Sequence, residues 1–119
     1  MKKTVVIGAS EKPDRVSNQV VHRLAEQGME VIAIGVKEGK IGAIPILTER
    51  PAIQDVHTVS LYVGPQNQTG WYDYIVSLNP DRIIFNPGTE NDEFENMAKE
   101  KGIKTERSCT LVLLSTGQF

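Results

Sequence analysis

Residues 4–34 read Thr4-Val-Val-Ile7, then Gly8-Ala9-Ser10-Glu11-Lys12-Pro13-Asp14-Arg15-Val16, then a segment led by Ser17 and running to Gly28, then Val31-Ile-Ala-Ile34. The outer pieces are short, rich in β-branched residues and free of polar–apolar alternation, as expected of strands covered on both faces of a parallel sheet. Between them Val20, Val21, Leu24 and Ala25 recur at helical spacing. Ser17 is the expected N-cap and Gly28 the stop. Strand, helix and strand in this order make one right-handed crossover.

The pattern continues outward. Thr58-Val-Ser-Leu-Tyr-Val63 and Arg82-Ile-Ile-Phe85 read as further strands, and 103–107 as a fifth. Trp71, Tyr74, Ile75 and Leu78 fall at i, i+3, i+4 and i+7 of a helix that Asn79-Pro80 ends. Glu90, Asp92, Glu93 and Glu95 crowd the start of a third helix, Lys99 and Lys101 its end, and Phe94, Met97 and Ala98 form its apolar stripe. That charge order follows the helix dipole. Residues 110–115 predict a short closing helix. Residues 37–56, with Gly39, Gly42, Pro45 and Pro51, read as a loop holding one short helix after Thr48. The expected architecture is α/β: a three-layer, Rossmann-like, doubly wound sheet of about five parallel strands, forming one domain over residues 1–119.

Composition narrows the function. The 119 residues are 39% hydrophobic and carry 13 Lys+Arg against 15 Asp+Glu. That balance gives no basic field for nucleic acid. Cys109 is the single cysteine, so no internal disulfide or thiolate cage forms, and His22 and His57 lack ligand spacing; no metal is expected. The apolar run after Lys3 is too short for a signal core or a spanning helix, so the expected place is the cytoplasm, away from membranes. So small a sheet leaves room for a homo-oligomer, which no residue pattern specifies.

Ligands of open α/β sheets lie beyond the carboxyl ends of the strands. Here the first four strand ends all carry glycine: Gly8, Gly35, Gly64 and Gly88. The first loop is the phosphate candidate. Gly8 permits close approach, Ser10 offers a hydroxyl, Lys12 and Arg15 add cations, and Ser17-Asn18 open a helix whose N-terminus favours anions. It is not G-x-G-x-x-G, because Ser10 and Pro13 stand where the second and third glycines belong. After the second strand, Lys37 stands where an NAD site places an acid, which suits a ribose carrying a phosphate, as in NADP or coenzyme A. Residues 1–50 are net +2 and the rest net −4, so the cationic excess lies in the half that holds this loop.

These motifs, in their order, resemble the small CoA-binding domain family, relatives of the CoA-binding part of the succinyl-CoA synthetase α subunit. The resemblance rests on Val6-Ile-Gly-Ala-Ser10, Arg15-Val-Ser-Asn18, Val21-x-x-Leu24-x-x-x-Gly28, Ile41-Gly42-x-x-Pro45, Asn86-Pro-Gly-Thr-Glu-Asn91, Gly102-Ile103 and Arg107-Ser-Cys109-Thr-Leu-Val. It implies that Gly8, Ala9, Ser10, Arg15 and Ser17 hold a diphosphate and that Val36 and Lys37 face the adenosine and its 3′-phosphate. It further implies that Tyr62, Val63 and Gly64 line the pantetheine path, with Pro87 and Gly88 across the cleft. Where the family usually has Val-Asn-Pro, this chain has Ile34-Gly35-Val36.

No catalytic residue is expected. His22 and His57 read as solvated or capping, Cys109 as a small buried thiol, Glu90 as a helix-start acid, and Trp71, Tyr72 and Tyr74 as packing. The reading is a coenzyme A or acyl-CoA module that binds a small molecule and catalyses nothing alone. Two alternatives stay open: an NADP-binding enzyme or redox sensor, and an interaction protein that kept the fold and lost the ligand.

Overall fold

A computed structural model describes residues 2–119. Thr4–Ile7 (β1) leads to Val16–Glu26 (α1) and Val31–Ile34 (β2), followed by the strands Gly39–Ile41 (β3) and Ile44–Leu47 (β4). Thr58–Leu61 (β5) is followed by 3-10 turns at Pro65–Asn67 and Thr69–Trp71, and then by Tyr72–Ser77 (α2). Arg82–Phe85 (β6), Asp92–Glu100 (α3), Lys104–Arg107 (β7) and Thr110–Ser115 (α4) complete the order.

The sheet has seven strands in the order β3-β4-β2-β1-β5-β6-β7, all parallel except β3, which pairs antiparallel with β4. The class is the expected α/β Rossmann-like one. Its strand number exceeds the expected five because residues 37–56 hold a hairpin instead of a loop and short helix. Ile41 pairs with Ile44 across Gly42-Ala43, and Gly42 has φ +59 while Ala43 does not share that region. Glycine at the first central position is what a tight II′-type hairpin turn requires. Pro45 is tolerated because β4 joins β2 only at Ile46 and Leu47.

Successive strand residues face opposite layers. Val5, Ile7, Val59, Leu61, Ile83 and Phe85 form one core with Tyr72 and Ile75 of α2 and Phe94 and Ala98 of α3. Val6, Ala33 and Ile84 form the other with Val20, Val21 and Leu24 of α1 and Leu114 of α4. Each of the Val, Leu, Ile and Phe side chains among them, taken from water, contributes about 1.5–3 kcal/mol. Phe94 stacks on Tyr72 and meets Phe85 edge-on, at centroid distances of 4.4 and 5.7 Å.

Several local expectations change. Arg15, not Ser17, is the N-cap of α1 and makes no side-chain cap bond, so Ser17 lies buried inside the first turn. Ala25 is exposed, on the solvent side of the helix. The strand expected to reach Val63 ends at Leu61, and Trp71 lies in a 3-10 turn ahead of α2. Glu95, one of the acids at the start of the third helix, is buried against Arg107. His57 is half-buried, its Nδ1 2.7 Å from Thr58 Oγ1, and burial and Arg82 draw its pKa below 6.5. Among the described residues no helix is long and apolar enough to cross a membrane.

Candidate functional site

Strand order reverses at β1, whose neighbours β2 and β5 connect in opposite directions, and a crevice opens where the loops after these strands part. Gly8, with φ +97, sits in that crevice. A Cβ there would lie 3.0 Å from the Tyr62 backbone carbon, so only glycine lets the two strand ends approach this closely. Gly35 plays the same part on the other side, where a Cβ would come within 2.5 Å of the Ala9 carbonyl oxygen.

The cavity beyond has a volume of about 780 Å³, within the roughly 300–1,000 Å³ usual for small-molecule sites. Ten of the thirteen residues singled out from the sequence line it: Gly8, Ala9, Ser10, Lys12, Arg15, Ser17, Val36, Lys37, Tyr62 and Pro87. Val63, Gly64 and Gly88 do not. The Val63 carbonyl is held by Gln68, Gly64 begins a 3-10 turn, and the Gly88 N–H donates to Glu90 Oε1 at 2.9 Å.

The division of labour in the first loop differs from the expected one. The N–H groups of Gly8 and Ala9 both donate to the Ile34 carbonyl, at 2.9 and 3.0 Å, so they shape the crevice and are not free donors. Asn18 Nδ2 donates to the Ser10 carbonyl at 2.9 Å and the Lys12 N–H to Ser10 Oγ at 3.1 Å, which leaves the Ser10 hydroxyl proton free. The first N–H groups of a helix have no carbonyl above them, and Val16 and Ser17, which open α1, both line the cavity. Among the described residues nothing hydrogen-bonds the Ser17 hydroxyl, and although Ser17 is only 5% exposed this oxygen is not a buried unpaired atom. Nor do Lys12, Arg15 or Lys37 form an ion pair there. Of the nearby acids, Glu11 is engaged, accepting from the Lys40 N–H at 2.9 Å and so tying the first loop to β3.

Beneath the cavity lies a buried polar cluster not foreseen from the sequence. Asn86 Nδ2 donates to Ser60 Oγ at 3.0 Å and to the Leu61 carbonyl at 2.9 Å, while Asn86 Oδ1 accepts from the N–H and hydroxyl of Thr110. Asn86-Pro87 at a strand end was the only signal of it. Tyr62 Oη is buried beside this cluster without a hydrogen-bond partner. Burial pushes its pKa up to about 12, and the nearby Ser60 and Thr110 hydroxyls offset only part of that. Cys109, expected to be buried, is half-buried and lines the cavity.

The fold recurs in known proteins. A crystal structure of an uncharacterized protein superposes with a TM-score of 0.97 at 48% identity, covering 100% of this chain and 98% of that one. A hypothetical protein from Pyrococcus horikoshii gives 0.83 at 24% identity, covering 97% and 82%. A Thermus thermophilus protein gives 0.85 at 20% identity, covering 99% and 91%; these last two share the fold alone. No curated protein matches the chain. The model of the CoA binding domain matches residues 2–115, nearly the full length, and the chain therefore belongs to the CoA binding domain family.

Proposed function

We propose that this protein holds coenzyme A or an acyl-CoA and performs no chemistry of its own. The observation that carries the reading is the opening of α1 onto the cavity, where Val16 and Ser17 line the wall beside Lys12 and Arg15, cations that form no ion pair. A helix N-terminus with free donors and cations is suited to a diphosphate. In this reading Ser10, Arg15 and Ser17 hold the diphosphate, Gly8 and Ala9 give it room, and Lys37 meets the ribose phosphate beside Val36. Tyr62 and Pro87 border the thiol-bearing arm. When bound, the ligand supplies a thiol or thioester; the chain supplies position and shielding from water. Cys109 is the thiol that lines the cavity, and the Tyr62 phenol beside it stays protonated, so it does not serve as that thiol's base.

The test is isothermal titration of the folded protein with coenzyme A. A saturable heat is expected. Absence of binding at millimolar coenzyme A overturns the reading, and displacement of the ligand by equimolar NADPH reassigns the site to a dinucleotide.

A further inference from the structure

Gln68 lies between the two 3-10 turns, is wholly buried, and uses both donors and its acceptor inside the fold. Its Nε2 donates to the Val63 carbonyl at 2.8 Å and to the Thr89 carbonyl at 2.7 Å, and its Oε1 accepts from Asn91 Nδ2 at 2.9 Å. Val63 belongs to the loop leaving β5, whereas Thr89 and Asn91 belong to the loop leaving β6. One amide head thus ties together two loops that share no strand. A primary amide offers two donors and an acceptor on one plane, which a hydroxyl or carboxylate does not.

The tie is stiff. Asn91 Nδ2 also donates to Tyr72 Oη at 2.8 Å, Asn91 Oδ1 caps α3 by accepting from the Phe94 N–H, and Tyr72 stacks on Phe94. The tied loops reach the cavity through Tyr62, next to Val63, and Pro87, two residues before Thr89. None of the Gln68 hydrogen bonds reaches the first loop, α1 or the end of β2, where a nucleotide would sit.

We infer that Gln68 is a positioning residue that fixes the spacing of the β5 and β6 loops, and with it the Tyr62–Pro87 side of the cavity that takes the arm of the ligand. The inference rests on the coenzyme A reading above. Replacing the amide by an apolar chain of similar length frees two buried carbonyls, which then move to find partners. The arm loses its wall; the nucleotide end keeps its own.

The experiment compares wild type, Gln68→Met and Asn91→Ser by calorimetry, with coenzyme A and with adenosine 3′,5′-bisphosphate, the nucleotide end without the arm. Circular dichroism verifies folding. Gln68→Met is expected to weaken coenzyme A about tenfold while bisphosphate affinity stays within about twofold. Asn91→Ser retains a capping oxygen but loses the bond to Gln68 Oε1, and is expected to show a smaller loss with the same split. An equal loss for both ligands, or no loss for either, overturns the inference, and if Gln68→Met does not fold, Asn91→Ser decides by the same criterion. Wild-type protein that binds neither ligand overturns the coenzyme A reading itself and the inference with it.

Discussion

Tyr62 brings two roles into one side chain: its ring borders the cavity, and its hydroxyl is buried without a partner. A buried donor that makes no bond loses water and gains nothing. Tyr62→Phe is therefore expected to leave stability unchanged or to raise it by up to about 1 kcal/mol, measured by urea unfolding at pH 7. The alkaline limb supplies a second readout. The folded pKa of about 12 exceeds the ordinary 10.0, so the unfolded chain loses this proton first and stability falls as pH rises from 10 toward 12. Tyr62→Phe should make that fall shallower; an identical pH profile would remove Tyr62 as its source. Lys37, exposed and unpaired at the cavity mouth, gives the companion prediction. Lys37→Glu should weaken coenzyme A and barely affect dephospho-CoA, and equal losses for both ligands would reject a contact with the 3′-phosphate.

Helix α3 shows how an element is specified by its ends. Asn91 Oδ1 accepts from the Phe94 N–H at 3.2 Å and Glu95 Oε2 from the Asn91 N–H at 3.0 Å, a reciprocal cap. The acidic start and basic end made this helix legible in the sequence. What was not legible is that Glu95 turns inward, because its partner Arg107 comes from β7, twelve residues away. Burial alone would raise the Glu95 pKa, but the hydrogen bonds from Arg107 and the Asn91 N–H hold it below 4.5. A depressed carboxyl stabilises the fold above its unfolded pKa and loses that contribution as pH falls through the folded one. Stability should therefore decline below about pH 4.5, and Glu95→Gln should flatten the decline while lowering stability at pH 7. Acid titrations followed by circular dichroism would show it; parallel curves for the two proteins would contradict it. The β3–β4 hairpin is the opposite case. Its strands are short and contain Gly39 and Pro45, so propensity argued for a loop, and only Ile41 and Ile46 packing into the α1 layer make them a sheet edge.

At the scale of the molecule, the two ends of the described chain meet at the amino-terminal side of the sheet. The Phe119 carbonyl accepts from Lys2 Nζ and, at 2.9 Å, from Arg82 Nη2, while the Arg82 guanidinium lies 4.5 Å from the Phe119 ring centroid. Arg82 is buried on β6, where its Nε donates to Thr58 Oγ1 at 2.8 Å and Glu106 stands 3.4 Å away. Removing the ring opens a cavity and uncovers this charge together, so Phe119→Ala should cost about 3 kcal/mol in urea unfolding. A cost below about 0.5 kcal/mol would mean that Phe119 only covers the surface. The clasp lies opposite the ligand crevice, so coenzyme A affinity measured well below the unfolding midpoint should be unchanged.

The sequence by itself determined the α/β class, the central strands, all four helices and the first-loop, Lys37, Tyr62 and Pro87 positions that line the cavity. Those follow from local periodicity, from strand ends that every parallel sheet turns to one side and, for Tyr62 and its place opposite Pro87, from the family resemblance. Tertiary structure alone decided which polar groups remain free. Gly8 and Ala9 donate to Ile34, Glu11 accepts from the Lys40 N–H, and Gln68 joins two loops. Hydrogen-bond partners are set by distances between segments remote in the chain, and no periodicity encodes them.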